Sequence, residues 1–182
     1  GITTCIHYNS SRGPSFYEAD VLDRMRAYQD SGIRVSFGLD IRDRNHLVYG
    51  DEEFIRLLPS PLKEKVIEKY TKSRTLPADA YFPFVKKLSE SLTVTEHDRT
   101  KLFLTPAGPQ WCTEDLLRAI RQQSIERDLG IQIHVSETKY QRSFFSRAYE
   151  TTATEWLNGL NFLSPRGSIA HRVWLNQNDL PL

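Results

Sequence analysis

Ile131-Gln132-Ile133-His134-Val135-Ser136-Glu137-Thr138-Lys139-Tyr140-Gln141 holds the change from strand to helix that decides the fold. Ile131, Ile133 and Val135 alternate with polar residues, the period of a short buried strand. Thr138, followed three residues later by Gln141, is the start of a helix with a capping box. His134 and Glu137 therefore lie at the carboxyl end of a strand, where parallel α/β folds bind ligands. A neutral imidazole and a carboxylate at this spacing can bind a metal and move protons beside it. A histidine that is merely hydrogen-bonded fits the same residues, so the rest of the chain must arbitrate.

Working outward, the same strand-then-helix unit recurs. Upstream, Lys101 to Leu104 reads as a strand, and Thr105 to Cys112 as a stiff loop. Thr113 caps a helix with an acidic first turn, Glu114 and Asp115, and an apolar face of Leu116, Leu117 and Ile120. Earlier still, residues 2 to 7 and Ile33 to Ile41 read as strands around a helix. That helix opens with a Ser15/Glu18 capping box, carries Val21, Leu22, Met25 and Tyr28, and closes at Gly32. Arg42-Asp43-Arg44-Asn45 is a solvated loop, or turns Arg42 or Asn45 toward a substrate. Residues 51 to 92 look helical in pieces broken by Pro59, Pro61, Pro77 and Pro83, an inserted helical subdomain or lid near the site. Its Pro61 to Tyr70 piece is charged and expected to be exposed. Downstream come helical pieces with Phe144, Phe145 and Ala148, then Trp156, Leu157 and Leu160. Ser168 to Leu175 follows as a strand that carries His171.

This order predicts a βα repeat with parallel strands and right-handed crossovers. No GxGxxG or P-loop follows any strand, so a nucleotide-binding doubly wound sheet has no motif behind it. A (β/α)8 barrel of ~250 residues needs three further strands. The chain starts strand-like and stops where a helix is about to begin, so it is expected to be a barrel segment with exposed sheet edges, which would aggregate or dimerise alone.

The bulk numbers exclude other classes. A chain of 182 residues, 39% hydrophobic and 26% charged, is one ordinary globular domain. A net charge of +1 offers no footprint for nucleic acid. No stretch is apolar enough for a membrane span, no signal peptide is expected, and two distant cysteines, Cys5 and Cys112, fit a reduced cytoplasmic setting better than a disulfide.

Four pieces in order carry a family resemblance. They are Gly1-Ile2-Thr3-Thr4, the Pro106 to Cys112 loop before Thr113-Glu114-Asp115-Leu116-Leu117, His134-x-x-Glu137-Thr138, and Ala170-His171-Arg172-Val173-Trp174. Together the chain resembles the amidohydrolase superfamily, in its cytosine-deaminase and triazine-hydrolase-like branch. The resemblance implies a parallel (β/α)8 TIM-like barrel of the metal-dependent hydrolase type, with residues 1–182 as a partial domain covering about strands two to six. It implies one divalent metal ion, zinc or else iron, with His134 as a ligand. Glu137 would carry a proton from the attacking water to the leaving group, and His171 would orient the water or the intermediate. Gln110 and Trp111, in the loop after the third strand of this chain, would meet a flat heterocycle, although packing under the loop is an equal reading for Trp111. Trp174 reads as core.

The departures matter. His7, His46 and His97 are isolated, so the family's His-x-His pair is absent, and Asp179 lies too close to His171 to be its strand-eight Asp. Ala107 stands where nucleoside-type deaminases often have a His, which disfavours an adenosine-like substrate. The expected activity of the intact protein is hydrolytic deamination, or carbon–nitrogen or carbon–halogen hydrolysis, of a small purine, pyrimidine or triazine. A ring-opening hydrolase of cyclic amides is the second enzyme reading, disfavoured because Lys101 stands at the start of its strand. A noncatalytic barrel fragment is the alternative of another class. No nucleic acid or membrane partner is expected, and a homo-oligomer stays open.

Overall fold

In the computed structural model, which describes residues 1–11, 13–73, 75–94 and 99–182, with side chains of 93 and 94 excepted, β-branched and apolar runs become five parallel strands. They are β1 (Thr4–Asn9), β2 (Arg34–Ile41), β3 (Thr100–Pro106), β4 (Gly130–Val135) and β5 (Gly167–His171), side by side in chain order. Sequential order is that of a barrel wall, whereas a doubly wound sheet reverses order at a switch point. The strands form half of a barrel. His97 lies outside the described residues.

Alternation along each strand divides the two faces. Val35, Phe37, Leu39 and Ile41 of β2, Leu102 and Leu104 of β3, and Ile131, Ile133 and Val135 of β4 join the hydrophobic core. Against them pack α1 (Tyr17–Ser31), α5 (Glu114–Glu126), α6 (Lys139–Tyr149) and α7 (Ala153–Gly159) through Val21, Met25, Leu117, Ile120, Phe145 and Leu157. The opposite parity, Tyr8, Gly38, Asp40, Thr105 and His134, faces the barrel interior. Register pairs Tyr8 with Gly38, Asp40 with Thr105 and His134 with Ala170.

Between β2 and β3 lie α2 (Asp51–Arg56), α3 (Ser60–Tyr70) and α4 (Ala78–Val94). Neither α2 nor α3 buries a residue, whereas α4 places Tyr81, Phe84, Val85 and Leu88 in the core. So α4 is the crossover helix, and the first two are the extra material. Pro83 does not break α4, contrary to the sequence reading. The carbonyl deprived of its donor is that of exposed Asp79, where water can serve it.

Other boundaries moved for local reasons. Residues Pro14–Phe16 form a 3-10 turn, so α1 begins after Phe16 with no side-chain cap, and Ser15/Glu18 is not a capping box. β1 runs two residues later than expected. β5 stops at His171, because His171 and Arg172 take left-handed φ values of 72° and 60° that end extended backbone.

Gly38 marks a close approach in the sheet. A Cβ there would sit 2.4 Å from Thr105 Cγ2 and 2.9 Å from the His7 carbonyl oxygen. Because one obstacle is backbone, the clash cannot be relieved by a rotamer change. Gly38→Ala is expected to destabilise the protein by about 1–3 kcal/mol, read as a lower urea midpoint at unchanged slope.

Candidate active site

The carboxyl ends of all five strands, β1 to β5, enclose a cavity of about 300 Å³, whose lining includes Tyr8, Asp40, Ala107, Trp111, His134, Glu137 and His171. Two tyrosines fix the end of β2 from the helical layer. The Tyr17 hydroxyl donates to the Asp40 carbonyl at 2.7 Å, and the Tyr81 hydroxyl to the Leu39 carbonyl at 2.8 Å. The loop after β2 is stitched to the loop after β3. Asp43 and Arg44 amides donate to the Trp111 carbonyl at 3.2 Å, and the Thr113 amide donates to Asp43 at 2.8 Å.

β3 and β4 pair over two residue pairs only, Phe103 with Gly130 and Leu104 with Ile131. Beyond them the chains part, and the Ala107 carbonyl comes within 3.0 Å of His134 Nδ1. A carbonyl only accepts, so Nδ1 carries the proton and Nε2 keeps its lone pair. Burial lowers the His134 pKa, reinforced by nearby His171 and opposed by the Ala107 carbonyl and Glu137. The ring is neutral near pH 7, the form that binds a metal.

Glu137 sits two residues past β4, where Ser136 takes a φ of 55° and turns the chain toward α6. The Thr138 hydroxyl caps α6 by accepting from the Gln141 amide at 3.2 Å. The other half of the expected capping box is redirected. Gln141 Oε1 accepts from the Glu137 amide at 3.0 Å, and Gln141 Nε2 donates to Gln110 Oε1. A buried amide pair thus braces the backbone that presents Glu137.

Register alone would put His171 beside Val135, on the helical face. Its left-handed φ breaks the alternation, and its ring lies 5.2 Å from that of His134, with Nε2 3.8 Å from Glu137 Oε1. The Arg172 amide donates to the Val135 carbonyl at 3.0 Å and the Trp174 amide to the Ser136 carbonyl at 2.9 Å, which hold this strained turn. His134, Glu137 and His171, predicted from sequence, thus meet in one cavity.

The other sequence-predicted residues divide. Trp111 lines the cavity, with its ring 6.0 Å from Tyr49. Gln110 is 1% exposed, hydrogen-bonded to Gln141, and outside the cavity lining. Arg42 lines the cavity, whereas Asn45 braces the loop by donating to the Gln110 carbonyl at 2.6 Å. Asp179 is buried against the Asn176 amide and the Thr152 hydroxyl that caps α7, away from the site. Trp174 is 40% exposed, which corrects its reading as core. Lys101 is exposed at the amino end of β3. Cys5 and Cys112 are free thiols, and burial pushes Cys112 up to about 12, leaving it inert near neutrality.

Asp40 escaped the sequence reading. Its signal was a carboxylate inside the otherwise uncharged run Val35 to Ile41. Burial pushes its carboxyl up to about 7, opposed by the Tyr17 hydroxyl and the Arg42 guanidinium.

A parallel βα half-barrel with two imidazoles and a carboxylate at its carboxyl end defines an α/β-barrel protein with a strand-end site. The amidohydrolase family profile matches residues 1–182, and the chain belongs to that family. A 5'-deoxyadenosine deaminase of Methanobrevibacter smithii is 36% identical over 167 residues, 92% of this chain and 31% of that protein. An adenosine deaminase from Xanthomonas campestris with bound zinc superposes on all of this chain and 33% of its own, at TM-score 0.72 and 14% identity. A variant of atrazine chlorohydrolase from Arthrobacter aurescens, complexed with zinc and atraton, does so over 36% of its length at TM-score 0.72 and 17% identity. The chain spans about a third of the length of these proteins.

Among the described residues, no three His, Cys, Asp or Glu side chains are grouped to hold an ion. His134, with Nδ1 committed to Ala107 and Nε2 free, fits a metal as one ligand of a larger set. No described helix is long and apolar enough to cross a membrane.

Proposed function

We propose that the intact protein is a cytoplasmic metal-dependent hydrolase that removes ammonia, or another leaving group, from a small nitrogen heterocycle. The observation that carries this reading is the meeting of His134, Glu137 and His171 in one cavity at the strand ends. Family membership and the activities of its relatives support it. His134 would hold the metal, zinc first and iron second, together with ligands from other parts of the protein. When bound, such an ion makes water nucleophilic at neutral pH. Glu137 accepts the proton of the attacking water and returns it to the departing amine. His171, beside Glu137, hydrogen-bonds the attacking water and keeps its oxygen aimed at the ring carbon, where the tetrahedral intermediate forms. Trp111 offers a ring face against which a flat heterocycle stacks.

Ala107, expected to disfavour an adenosine-like substrate, lends its carbonyl to His134. With a 5'-deoxyadenosine deaminase among the relatives, purine nucleosides belong beside pyrimidines and chlorotriazines in the substrate panel. The test is release of ammonia or chloride by the purified, zinc-loaded intact protein. Turnover of at least one such heterocycle is expected. Inactivity on all of them, with the ion bound, would sink the reading.

A further inference from the structure

Asp40 lies on the inner face of β2, two strands from the β4 that carries His134, a lateral gap of ~10 Å by the usual strand spacing, with His134 further toward the carboxyl end. Its side chain is 5% exposed and lines the cavity. Its Oδ1 is buried with no hydrogen-bond partner among the described residues. Thr105, its register neighbour, also has a buried, partnerless hydroxyl, so neither satisfies the other. A buried carboxyl oxygen is costly to leave unpaired, and a ligand is one way to complete it.

We propose that Asp40 is a specificity-determining residue whose Oδ1 hydrogen-bonds a ring nitrogen of the heterocycle, at the end away from Glu137. The separation from His134 is one that a bicyclic ring and a single hydrogen bond can span. A carboxyl held up to about 7 by burial is available near neutrality both to donate to a bare ring nitrogen and to accept from an N–H. This inference rests on the hydrolase reading above and names which edge of the substrate is recognised.

The probes are 5'-deoxyadenosine and its 1-, 3- and 7-deaza analogues, each replacing one ring nitrogen by a carbon. With the zinc-loaded intact protein, one analogue should bind about 10- to 100-fold more weakly than the parent, from KM against competitive Ki. In Asp40→Ala that gap should close, because the parent loses the same contact. Asp40→Asn, which keeps the shape, serves if the Ala variant fails to fold, and the gap should change there too. An unaltered gap in a folded variant, or four compounds bound equally by the wild type, would overturn the role of Asp40. Absence of turnover by the wild type would instead count against the hydrolase reading. Dissociation constants for the same four compounds would then decide on Asp40 by the same criterion, and binding of none would overturn it.

Discussion

Glu137→Gln in the intact protein is expected to lower kcat by about 10³-fold or more while leaving the fold and the bound metal in place. Glutamine keeps the volume and the hydrogen-bonding reach of the side chain but cannot take a proton from water. The same carboxylate serves twice, first as base toward water and then as acid toward the leaving group, so its loss falls at the upper end of such effects. Stability should barely move, because the side chain is 44% exposed and, among the described residues, it lies 3.8 Å from His171 Nε2 without a closer charged partner. The backbone that presents it is held independently, by Gln141 Oε1 on the Glu137 amide. The measurements are kcat on the best heterocycle, metal content and thermal midpoint. A variant retaining more than about a tenth of the activity would remove the proton-shuttle role.

A second large effect is a pH-dependent stability difference between wild type and Asp40→Asn. Burial raises the Asp40 carboxyl from 3.8 to about 7 in the folded state. Between those values the folded protein binds more protons at this site than the unfolded chain does. Stability from this group is therefore fully present below about pH 4 and is lost as pH rises through about 7. The slope is about 1.4 kcal/mol per pH unit, which accumulates to the order of 4 kcal/mol. Asn does not titrate, so the variant should gain on the wild type by that amount between pH 4 and 8. Urea unfolding of both proteins without substrate checks this, since other titrations cancel in the difference. Parallel stability curves would show that the carboxyl is not held in a desolvated place.

How much of the site could be read from sequence depended on how local each contact is. His134 and Glu137 were legible because three residues separate them, and the strand and the Thr138 cap set both directions. His171 was legible as a residue but not as an orientation. Strand alternation would have sent it to the helical face, and only its left-handed backbone returns it to His134. Gln110 was legible only as a loop residue near the strand ends; its burial and the Gln141 amide on its Oε1 are long-range contacts that its local sequence does not carry. Gln141 itself looked like half of a capping box, and the nearby Glu137 amide and Gln110 outcompeted the Thr138 amide for its side chain.

What the sequence determined by itself is the order of strands and helices, their apolar faces and the placing of His134 and Glu137 at a strand end. These follow from periodicity and capping, which act within a few residues. Tertiary structure alone decided that Asp40, on a different strand, shares their cavity with an oxygen left unpaired among the described residues. A carboxylate's environment is set by what the sheet brings alongside it. At residues 131–141, the same physics turned a strand-end imidazole into a neutral one, with the Ala107 carbonyl fixing which nitrogen is free.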